Sequence, residues 1–439
     1  MALDAKNNSL EEFWIPFTDN RGFKKDPRLI VQGRGVYMTD HKGGTVIDGS
    51  SGLFCSPAGH CHPKIIEAVH DALKEITFVA PFGTAHPLAF ALAEELARLT
   101  PDKLNHMFFV NSGSEAIDTA LKIVMAYHTA TGQNRHRFIS RERAYHGVNI
   151  GGVSLSGLVN NRRAFPLVMP NIVHLRHTWT EEDLFVPGCR VSGADRAEDL
   201  TRAIANYGAE TIAAVFVEPV AGSTGTLPPP IGYLKRLREI CTAHNILLVF
   251  DEVITGFGRV GGNFAADAFD VTPDIITMAK ALTNGSIPMG AVAVRDDIYE
   301  TVTDSAAMGG IELFHGYTYS AHPAACAAGL ASLAIYREEG LFDRARDMSP
   351  YFEAAVMSLK DHPLVRDIRT IGMMAGVELH PHPKPGARGV LAQTEMFWKG
   401  LHVKFTGDNG IVAPMFISER GHIDEIVGKF RDTLDALPR

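Results

Sequence analysis

The sequence has few cysteines and no long apolar run. Its five cysteines, an odd number without a repeated spacing, exclude a disulfide framework and are typical of a reducing compartment. Nowhere do about 18 apolar residues follow one another, and the first residues lack the basic and apolar regions of a secretory signal. The sequence therefore predicts a soluble protein of the cytoplasm, with no membrane as partner.

The chain also lacks a strong excess of acidic or basic residues. The formal net charge of −8 comes from 50 acidic and 42 basic residues that are interspersed along the chain. This distribution offers no basic surface for nucleic acid or for an anionic membrane. With 439 residues and 46% hydrophobic content, the chain can bury a large core. We therefore expect a globular protein with one large and one smaller domain.

Short apolar runs alternate with helical periodicity in the middle of the chain, which predicts an α/β fold with a mostly parallel, doubly wound sheet. Weaker strand signals near residues 36–48 predict a small antiparallel sheet, and residues 380–389 read as an exposed loop. The predicted strands are residues 107–110, 137–140, 212–217, 246–250, 275–278 and 291–294. The predicted units are an N-terminal segment 1–55 packed with a smaller α+β domain 324–439, and a large domain 56–323.

Two charged residues stand where predicted strands end. Asp251, followed by Glu252, closes one apolar run, and Lys280 closes the next. Open α/β sheets bind ligands beyond the carboxyl ends of their strands. An acid and a lysine delivered there are therefore expected to face one small molecule.

Residues 111–116, NSGSEA, join a predicted strand to a predicted helix. Ser112 with Glu115 three positions later forms a capping-box pattern, while Gly113 and Ser114 leave backbone N–H groups and a hydroxyl at the helix start. Such a terminus can hold a phosphate. An ordinary capped helix without a ligand is the alternative for this motif taken alone.

Three other patterns favour plainer interpretations. The acidic pair after residues 247–250 resembles a magnesium-binding strand of nucleotide hydrolases, but the chain has no GxxxxGK[ST] phosphate loop. The letters GFGRVG at 256–261 fit GxGxxG, yet no amphipathic helix follows them, which indicates a glycine-rich turn. The cluster CSPAGHCHP at 55–63 matches no zinc spacing and indicates a turn with backbone-bonded histidines. No metal site is predicted.

The lysine, the aspartate and the helix start together describe one kind of site. Partial burial and a nearby positive group favour the neutral amine of a lysine, which condenses with a carbonyl. A pyridine aldehyde that carries a phosphate also needs a carboxylate on its ring nitrogen, and Asp251 can supply it. These features predict a pyridoxal phosphate site.

The residues resemble those of the class III (ω-amino acid) aminotransferases, which are fold-type I pyridoxal phosphate enzymes, and the resemblance covers nearly the whole chain. Within that family the sequence is most similar to the β-alanine:pyruvate enzymes, for example at residues 232–235 and 284–291. The motifs that carry the resemblance are residues 112–116 (SGSEA), 145–147 (YHG), 217–219 (VEP), 251–261 (DEVITGFGRVG), 279–280 (AK) and 315–323 (HGYTYSAHP).

The resemblance implies a role for each motif. Lys280 would bind the cofactor aldehyde and move the substrate proton, and Asp251 would bind the pyridine nitrogen. Tyr145 would stack on one ring face and Val253 on the other. The phosphate would be held by a group of residues that includes Thr318 of the neighbouring subunit, so the family implies a homodimer or a dimer of dimers. The remaining implied cofactor contacts are Ser112, Gly113, Ser114, His146 and Glu218.

The substrate pocket implied by the resemblance is apolar, and it would accept alkyl or aryl groups. Many relatives have an arginine at the position of Lys404, where a planar fork clamps the substrate carboxylate, and a lysine offers only a point charge. Weaker carboxylate binding by Lys404, replacement by another arginine such as Arg420, and a solvated Lys404 without substrate contact all stay open. The implied pocket residues are Phe17, Phe54, Phe82, Val148, Ala221, Ile254 and Lys404.

The predicted activity is transfer of an amino group from an ω-amino acid or amine to pyruvate, which yields an aldehyde or keto acid and alanine. An aminomutase or a decarboxylating relative would use the same cofactor. In a different class, a nucleotide-dependent enzyme conflicts with the absence of a phosphate loop, and a noncatalytic binding protein conflicts with an intact Lys280 and Asp251. The amino donor is not determined by the sequence.

Overall fold

The computed structural model describes residues 9–101, 103–166 and 168–438. The strands are β1 Ile30–Arg34, β2 Tyr37–Asp40, β3 Thr45–Asp48, β4 His106–Val110, β5 Arg137–Arg141, β6 Ile172–Leu175, β7 Ile212–Val217, β8 Leu247–Asp251, β9 Ile275–Met278, β10 Gly290–Val294, β11 Val365–Ile371, β12 Met374–Leu379, β13 Leu401–His402, β14 Lys404–Thr406 and β15 Asn409–Val412.

The helices are α1 Asn20–Lys25, α2 Ser51–Phe54, α3 Pro63–Glu75, α4 Pro87–Leu99, α5 Gly113–Ala130, α6 Ile150–Leu155, α7 Val159–Arg162, α8 Glu198–Tyr207, α9 Tyr233–Ala243, α10 Ala265–Ala268, α11 Asp296–Asp304, α12 Pro323–Glu338, α13 Leu341–Met357, α14 Ala387–Trp398 and α15 Arg420–Ala436. In the described residues, no helix has both the length and the apolar composition needed to cross a membrane.

A seven-stranded sheet forms the centre of the molecule, in the order β4-β10-β9-β8-β7-β5-β6. The strands from β9 to β6 run parallel, and β10 is antiparallel to both of its neighbours. Every residue of β7, β8, β9 and β10 is buried, because helices cover both faces of the sheet. The prediction of an α/β fold with a mostly parallel sheet is confirmed, and all six predicted strands are present.

The sheet register brings the two charged strand ends together. Strands β8 and β9 are parallel neighbours, and Asp251 pairs with Thr277. Lys280 follows Thr277 by three residues, so both charged side chains leave the sheet at the same carboxyl edge. This is the edge where open α/β sheets bind ligands.

Strand β6 was not predicted from the sequence. It has only four residues, includes the polar His174, and pairs with β5 alone at the edge of the sheet. Three of its four residues are only partly buried. A short edge strand of this kind has no strong apolar signal, since the neighbouring strand and not its composition holds it in place.

The chain ends meet in two smaller sheets. Strands β1, β2 and β3 form the predicted antiparallel sheet, which β13 extends in parallel by pairing Leu401 with Ile47. Strands β11, β12, β15 and β14 form the other sheet, which is antiparallel. The pairing of β3 with β13 supports the packing of the N-terminal segment on the C-terminal part, while the boundaries at 55 and 323 stay a prediction.

The exposed loop predicted at 380–389 is shorter than expected. Helix α14 begins at Ala387, so only residues 380–386 lie outside regular structure. The Asp408 carboxylate accepts hydrogen bonds from the backbone N–H groups of Gly386 (3.2 Å) and Gly389 (2.9 Å). This distant carboxylate caps the start of α14 in place of a local capping residue.

Candidate active site

A cavity of about 330 Å³ lies beyond the carboxyl ends of β8 and β9. Residues that the sequence predicts for the site, from separate segments of the chain, meet in its wall. They are Ser112, Gly113, Ser114, Tyr145, His146, Glu218, Asp251, Val253, Ile254 and Lys280.

Three donors fix the carboxylate of Asp251, which is only 6% exposed. Its Oδ2 lies 2.8 Å from Nδ1 of His146, and its Oδ1 accepts the backbone N–H of Val253 at 3.2 Å and the hydroxyl of Thr277 at 3.3 Å. Because a carboxylate can only accept here, the proton of His146 is assigned to Nδ1. Asp251 is therefore held in one orientation at the cavity wall.

His146 is enclosed on its other side. Its side chain has no exposed area, and in the described part of the chain its Nε2 has no hydrogen-bond partner. An unpaired buried nitrogen costs free energy unless a ligand or water meets it. In the described residues, the hydrogen bond that the His146 ring makes is the one to Asp251, and it helps to orient that carboxylate.

Glu218 carries a carboxyl group that is fully buried beside Asp251. It accepts backbone hydrogen bonds from Tyr145 (2.9 Å) and Gly222 (3.2 Å), and so ties Tyr145 to the loop after β7. Burial is the main cause that raises the pKa of Glu218 to about 7, and the nearby Asp251 raises it further while His146 opposes the change.

This raised pKa predicts a pH-dependent stability. Because the pKa is higher in the folded chain, the contribution of Glu218 is complete below its ordinary value of 4.5 and is lost as pH rises through about 7. The expected loss is on the order of 3 kcal/mol of unfolding free energy. Urea unfolding between pH 5 and 8 should show a smaller loss for Glu218→Gln, whose amide oxygen still accepts from Tyr145, than for the wild type; the loss that remains in the variant comes from Glu252, whose pKa is also raised to about 7. Parallel pH profiles for the two proteins would contradict the prediction.

The start of α5 forms another wall of the cavity. The Ser112 hydroxyl oxygen accepts the backbone N–H of Glu115 at 3.2 Å, as the capping pattern predicted, whereas the Glu115 carboxylate turns to the backbone N–H of Asn111 at 2.7 Å. The first N–H groups of a helix have no acceptor within it. This end of an 18-residue helix therefore presents free donors and positive potential to the cavity.

Two glycines allow the close packing of this wall. A Cβ on Gly113 would lie 3.0 Å from the methyl carbons of Val253, and a Cβ on Gly147 would lie 2.5 Å from Oγ of Ser114. Gly147 also has a φ of +94°, in the region that favours glycine. Any side chain at either position would displace the residues that surround the helix start.

Lys280 has a left-handed backbone, with a φ of +45°. Such a conformation is unfavourable for a residue with a Cβ and persists only where the surrounding structure imposes it. Its Nζ lies 6.0 Å from the ring centroid of Phe54, which is itself buried. The surrounding structure therefore holds the backbone of Lys280, and its amine has an aromatic ring on one side.

Glu252 points away from the site that its neighbour Asp251 occupies. Its carboxylate accepts the backbone N–H groups of Ala265 (2.6 Å) and Ala266 (2.8 Å) and the hydroxyl of Thr255 (2.8 Å). Burial raises its pKa to about 7, against these hydrogen bonds. Of the two neighbouring acids, Asp251 belongs to the site, whereas Glu252 holds the start of α10.

The predicted pocket residues lie in two kinds of surroundings. Ala221 is 1% exposed and packs with Trp179 and Leu227, so it does not reach the cavity surface. Phe17, Phe82 and Val148 are more than half exposed on the surface of this single chain. Of the apolar residues predicted for the pocket, only Ile254 lines the cavity. Phe54 is buried in the same hydrophobic cluster as Ile254. These pocket assignments stay predictions.

Lys404 is half-buried in β14, outside the cavity lining. Its backbone N–H donates to the Ser50 hydroxyl at 3.1 Å, four residues before Phe54, and no carboxylate of the described residues lies within 4.0 Å of its Nζ. Burial lowers the pKa of its amine. Contact of Lys404 with a substrate carboxylate stays a prediction.

Arg420, the alternative carboxylate binder predicted from the sequence, lies outside the cavity lining. It is exposed at the start of α15, and its guanidinium lies 4.9 Å from the ring centroid of Tyr351. The stacking on Tyr351 fixes it at the outer surface. Lys404 is therefore the better candidate of the two.

The sequence did not identify the other part of the cavity wall. Several of these residues follow Lys280 in the turn that leads to β10, where the apolar pattern gives no sign of a site. Cys55 belongs to the 55–63 segment, for which the sequence predicts backbone-bonded histidines. For the His60 ring this prediction is wrong, because its Nε2 contacts the Asp48 carboxylate at 2.9 Å. The additional lining residues are Cys55, Asn111, Gly147, Ala279, Thr283, Gly285, Ile287, Pro288 and Met289.

The sequence of this chain is similar to those of known aminotransferases. The sequence model of the family "Aminotransferase class-III" matches residues 20–434. An omega-aminotransferase of Caulobacter vibrioides is 50% identical, with 98% of this chain and 99% of that protein covered. The omega-amino acid–pyruvate aminotransferase of Pseudomonas putida is 44% identical (99% and 97% covered), and the beta-alanine–pyruvate aminotransferase of Pseudomonas aeruginosa is 42% identical (98% and 96% covered).

The fold of this chain is also similar to those of solved transaminase structures. The omega transaminase of Pseudomonas jessenii in complex with PMP has a TM-score of 0.92 at 32% identity, with 97% of this chain and 96% of that chain covered. A thermostable (S)-enantioselective omega-transaminase from Thermomicrobium roseum has a TM-score of 0.91 at 32% identity, with the same coverage.

Proposed function

Because this chain belongs to the class III aminotransferases, we propose that it transfers the amino group of an ω-amino acid or an amine to pyruvate, yielding alanine and an aldehyde or keto acid. The observation that carries the proposal is the meeting of Asp251, Lys280 and the start of α5 in one cavity. Two of the relatives described above are named as aminotransferases that act on pyruvate.

The residues of the cavity fit pyridoxal phosphate. The free N–H groups at the start of α5 suit its phosphate, the fixed carboxylate of Asp251 suits a protonated ring nitrogen, and the amine of Lys280 suits its aldehyde. When bound, this cofactor supplies a carbonyl for the donor amine and a ring that withdraws electrons. Tyr145 and Val253 line the same cavity and supply two surfaces for a flat ring.

Lys280 has two tasks in the proposed reaction. Its Nζ would bind the cofactor aldehyde, and once the donor amine has taken its place, the same nitrogen would remove the proton from the donor carbon and deliver it to the cofactor carbon that carried the aldehyde. Asp251 keeps a negative charge beside the ring nitrogen, and His146 holds that carboxylate in place at 2.8 Å. The aromatic ring of Phe54 keeps water from one side of the amine.

The proposal is tested by incubating the purified holoenzyme with pyruvate and a panel of donors: β-alanine, a longer ω-amino acid, taurine and 1-phenylethylamine. Chromatography of alanine should show formation that requires both pyruvate and a donor. Isomerised donor without pyruvate would indicate an aminomutase, and released carbon dioxide would indicate a decarboxylase. Either result, or no alanine with any donor, would overturn the proposed activity.

Lys404 contributes to the choice of donor in this proposal. Its half-buried side chain offers one positive charge to a donor carboxylate, and its backbone N–H contacts Ser50, in the segment that carries Phe54. Lys404→Arg should lower the KM for β-alanine about ten-fold, since a planar fork makes two hydrogen bonds where an ammonium makes one. The KM for 1-phenylethylamine, which has no carboxylate, should change less than about two-fold.

A variant without the charge is the control for this prediction. Lys404→Met keeps the length of the side chain and should raise the KM for β-alanine without affecting 1-phenylethylamine. If both donors responded alike, or if neither responded, Lys404 would have to be removed from the proposed site.

The proposed assembly is a homodimer in which each subunit completes the other's cavity. Thr318 is exposed in this chain and does not line the cavity of its own subunit. The loop that carries it is anchored on α5, because His315 contacts the hydroxyl of Thr119 (2.8 Å) and the amine of Lys122 (3.1 Å). Exposed Phe314 and Tyr319 flank Thr318 and support burial against a second copy.

Subunit mixing tests this arrangement. Thr318→Ala should weaken cofactor binding about ten-fold, the effect of losing one hydrogen bond to a phosphate. A hybrid dimer of one Thr318→Ala subunit and one Lys280→Ala subunit contains one intact site. That site combines Lys280 of the first subunit with Thr318 of the second. At limiting cofactor, activity per Thr318→Ala subunit should therefore rise several-fold above that of the Thr318→Ala homodimer. The double variant in one chain should not complement, and complementation by it would contradict the exchange.

The proposed location is the cytoplasm. All five cysteines are unpaired, and Cys241 and Cys326 are buried as free thiols. Free thiols in these numbers are typical of a reducing compartment.

A further inference from the structure

The segment from Lys280 to Gly285, called the lysine turn below, has a strained backbone. Lys280, Asn284 and Gly285 have φ values of +45°, +51° and +69°. Two of these three residues carry a Cβ, for which the left-handed region is unfavourable. Contacts outside the turn are therefore needed to hold it, and through it the amine of Lys280, in position.

Tyr336 holds the turn from outside the cavity lining. It lies in α12 with 2% of its surface exposed, and its hydroxyl donates to the carbonyl of Ala281 at 2.6 Å. The backbone N–H of Asn284 also reaches this carbonyl, at 3.2 Å. Loss of the phenol hydroxyl would leave the buried carbonyl, one residue from Lys280, with a single long hydrogen bond.

Asn284 holds the other end of the turn. Its side-chain Oδ1 accepts the backbone N–H of Ala58 at 2.9 Å, and its Nδ2 donates to the carbonyl of Gly59 at 2.9 Å. The hydroxyl of Ser56 donates to the backbone carbonyl of Asn284 at 3.2 Å. Residues 56–59, part of the segment that the sequence predicts to be a turn, thus form a bracket for the lysine turn.

Gly285 is required by the same bracket. A Cβ at this position would lie 2.9 Å from Cβ of Cys55. It would also lie 3.2 Å from Oγ of Ser56, so the turn and the bracket pack closely at this point. Two side chains that do not touch the cavity, Tyr336 and Asn284, complete the fixation from different elements of the fold.

We propose that Tyr336 and Asn284 are positioning residues that set the orientation of the Lys280 amine by clamping the lysine turn. The inference rests on the proposed function, since it assumes that this amine binds the cofactor and moves the substrate proton. A displacement of about 1 Å at a reacting atom can lower a rate about 10²-fold. Release of one clamp should therefore affect the proton transfer more than donor binding.

The test compares the holoenzymes of the wild type, Tyr336→Phe and Thr433→Val. Tyr336→Phe removes only the hydroxyl, and Thr433→Val removes a fully buried hydroxyl that donates to the carbonyl of Lys429 at 2.8 Å, far from the site. For Tyr336→Phe, kcat should fall about ten-fold with less than a two-fold change in the donor KM. The pH midpoint of the visible absorbance of the lysine-bound cofactor should also shift, and Thr433→Val should change neither quantity.

Hydrogen–deuterium exchange provides a readout that needs no turnover. In Tyr336→Phe, the amides of the lysine turn should exchange about ten-fold faster than in the wild type, while those of β8 keep their rate. Asn284→Asp, which preserves shape but loses the donor to Gly59, should act in the same direction. It also serves as the second variant if Tyr336→Phe folds poorly.

The outcomes separate the two proposals. If Tyr336→Phe and Asn284→Asp keep the wild-type kcat, absorbance midpoint and exchange rates, the positioning role is overturned. Faster exchange in the lysine turn with kcat and midpoint unchanged also overturns it, because the contact is then merely structural. A wild type that forms no alanine with any donor would overturn the proposed function instead. A wild type without the visible absorbance of a lysine-bound cofactor would overturn both proposals.

Discussion

Replacement of Lys280 by alanine should lower kcat for transamination by about 10⁵-fold, because one nitrogen both binds the cofactor and transfers the proton. No other described lysine can take its place, since Lys280 alone among the described lysines lines the cavity. The visible absorbance of the lysine-bound cofactor should disappear as well. Both effects are measured on purified protein with added cofactor.

Small amines provide the control for this variant. Methylamine added to Lys280→Ala should restore part of the proton transfer, since the missing side chain leaves space beside Phe54 for an external base. The unfolding temperature should remain close to that of the wild type without cofactor. Wild-type turnover by Lys280→Ala, or an unchanged absorbance, would remove Lys280 from the mechanism.

Replacement of Asp251 by asparagine should lower kcat about 10³-fold, the size of effect seen when one fixed charge or donor is removed from a preorganised site. The amide keeps the shape of the carboxylate but provides no negative charge for a protonated ring nitrogen. It also places an NH₂ group against one of the donors that now point at the carboxylate, His146, Val253 or Thr277. Stopped-flow measurement of the absorbance change with β-alanine alone isolates this step.

The neighbouring acid supplies a matched comparison for Asp251. Glu252→Gln changes the same chemical group one residue later, but its carboxylate serves Ala265, Ala266 and Thr255. Its loss should lower the unfolding free energy by about 1–3 kcal/mol while kcat changes less than about three-fold. Equal losses of kcat in Asp251→Asn and Glu252→Gln would mean that both acids act only through the fold.

Local sequence patterns were sufficient for the central sheet and for the reacting residues. Strands β7 to β10 are buried on both faces, so their apolar runs are unbroken, and Asp251 and Lys280 stand out as charges at the ends of such runs. Strand β6 and the first turn of α14 were not evident. The first depends on pairing with β5 and the second on capping by the distant Asp408, and neither interaction has a local signature.

The surroundings of the reacting groups were harder to predict. Side-chain identity does not show that Ala221 is covered by Trp179, or that Arg420 stacks on Tyr351. Nor does it show that the lysine turn needs Tyr336, which lies 55 residues from the carbonyl that it binds. Backbone conformations such as the φ of Lys280 follow from tertiary contacts, and these appear only in the folded chain.

The pairing of the two chain ends has a consequence for synthesis on the ribosome. The Ser50 hydroxyl, at the start of the segment that carries Phe54 and Cys55, meets the backbone of Lys404, 354 residues later. That segment reaches its final place only after the last strands have been translated. A nascent chain can therefore form much of the central sheet. Its cavity, however, stays incomplete on the side of Phe54 and Cys55 until the chain leaves the ribosome. Cofactor capture should accordingly be a late, post-translational event, and products truncated before residue 401 should fail to retain it.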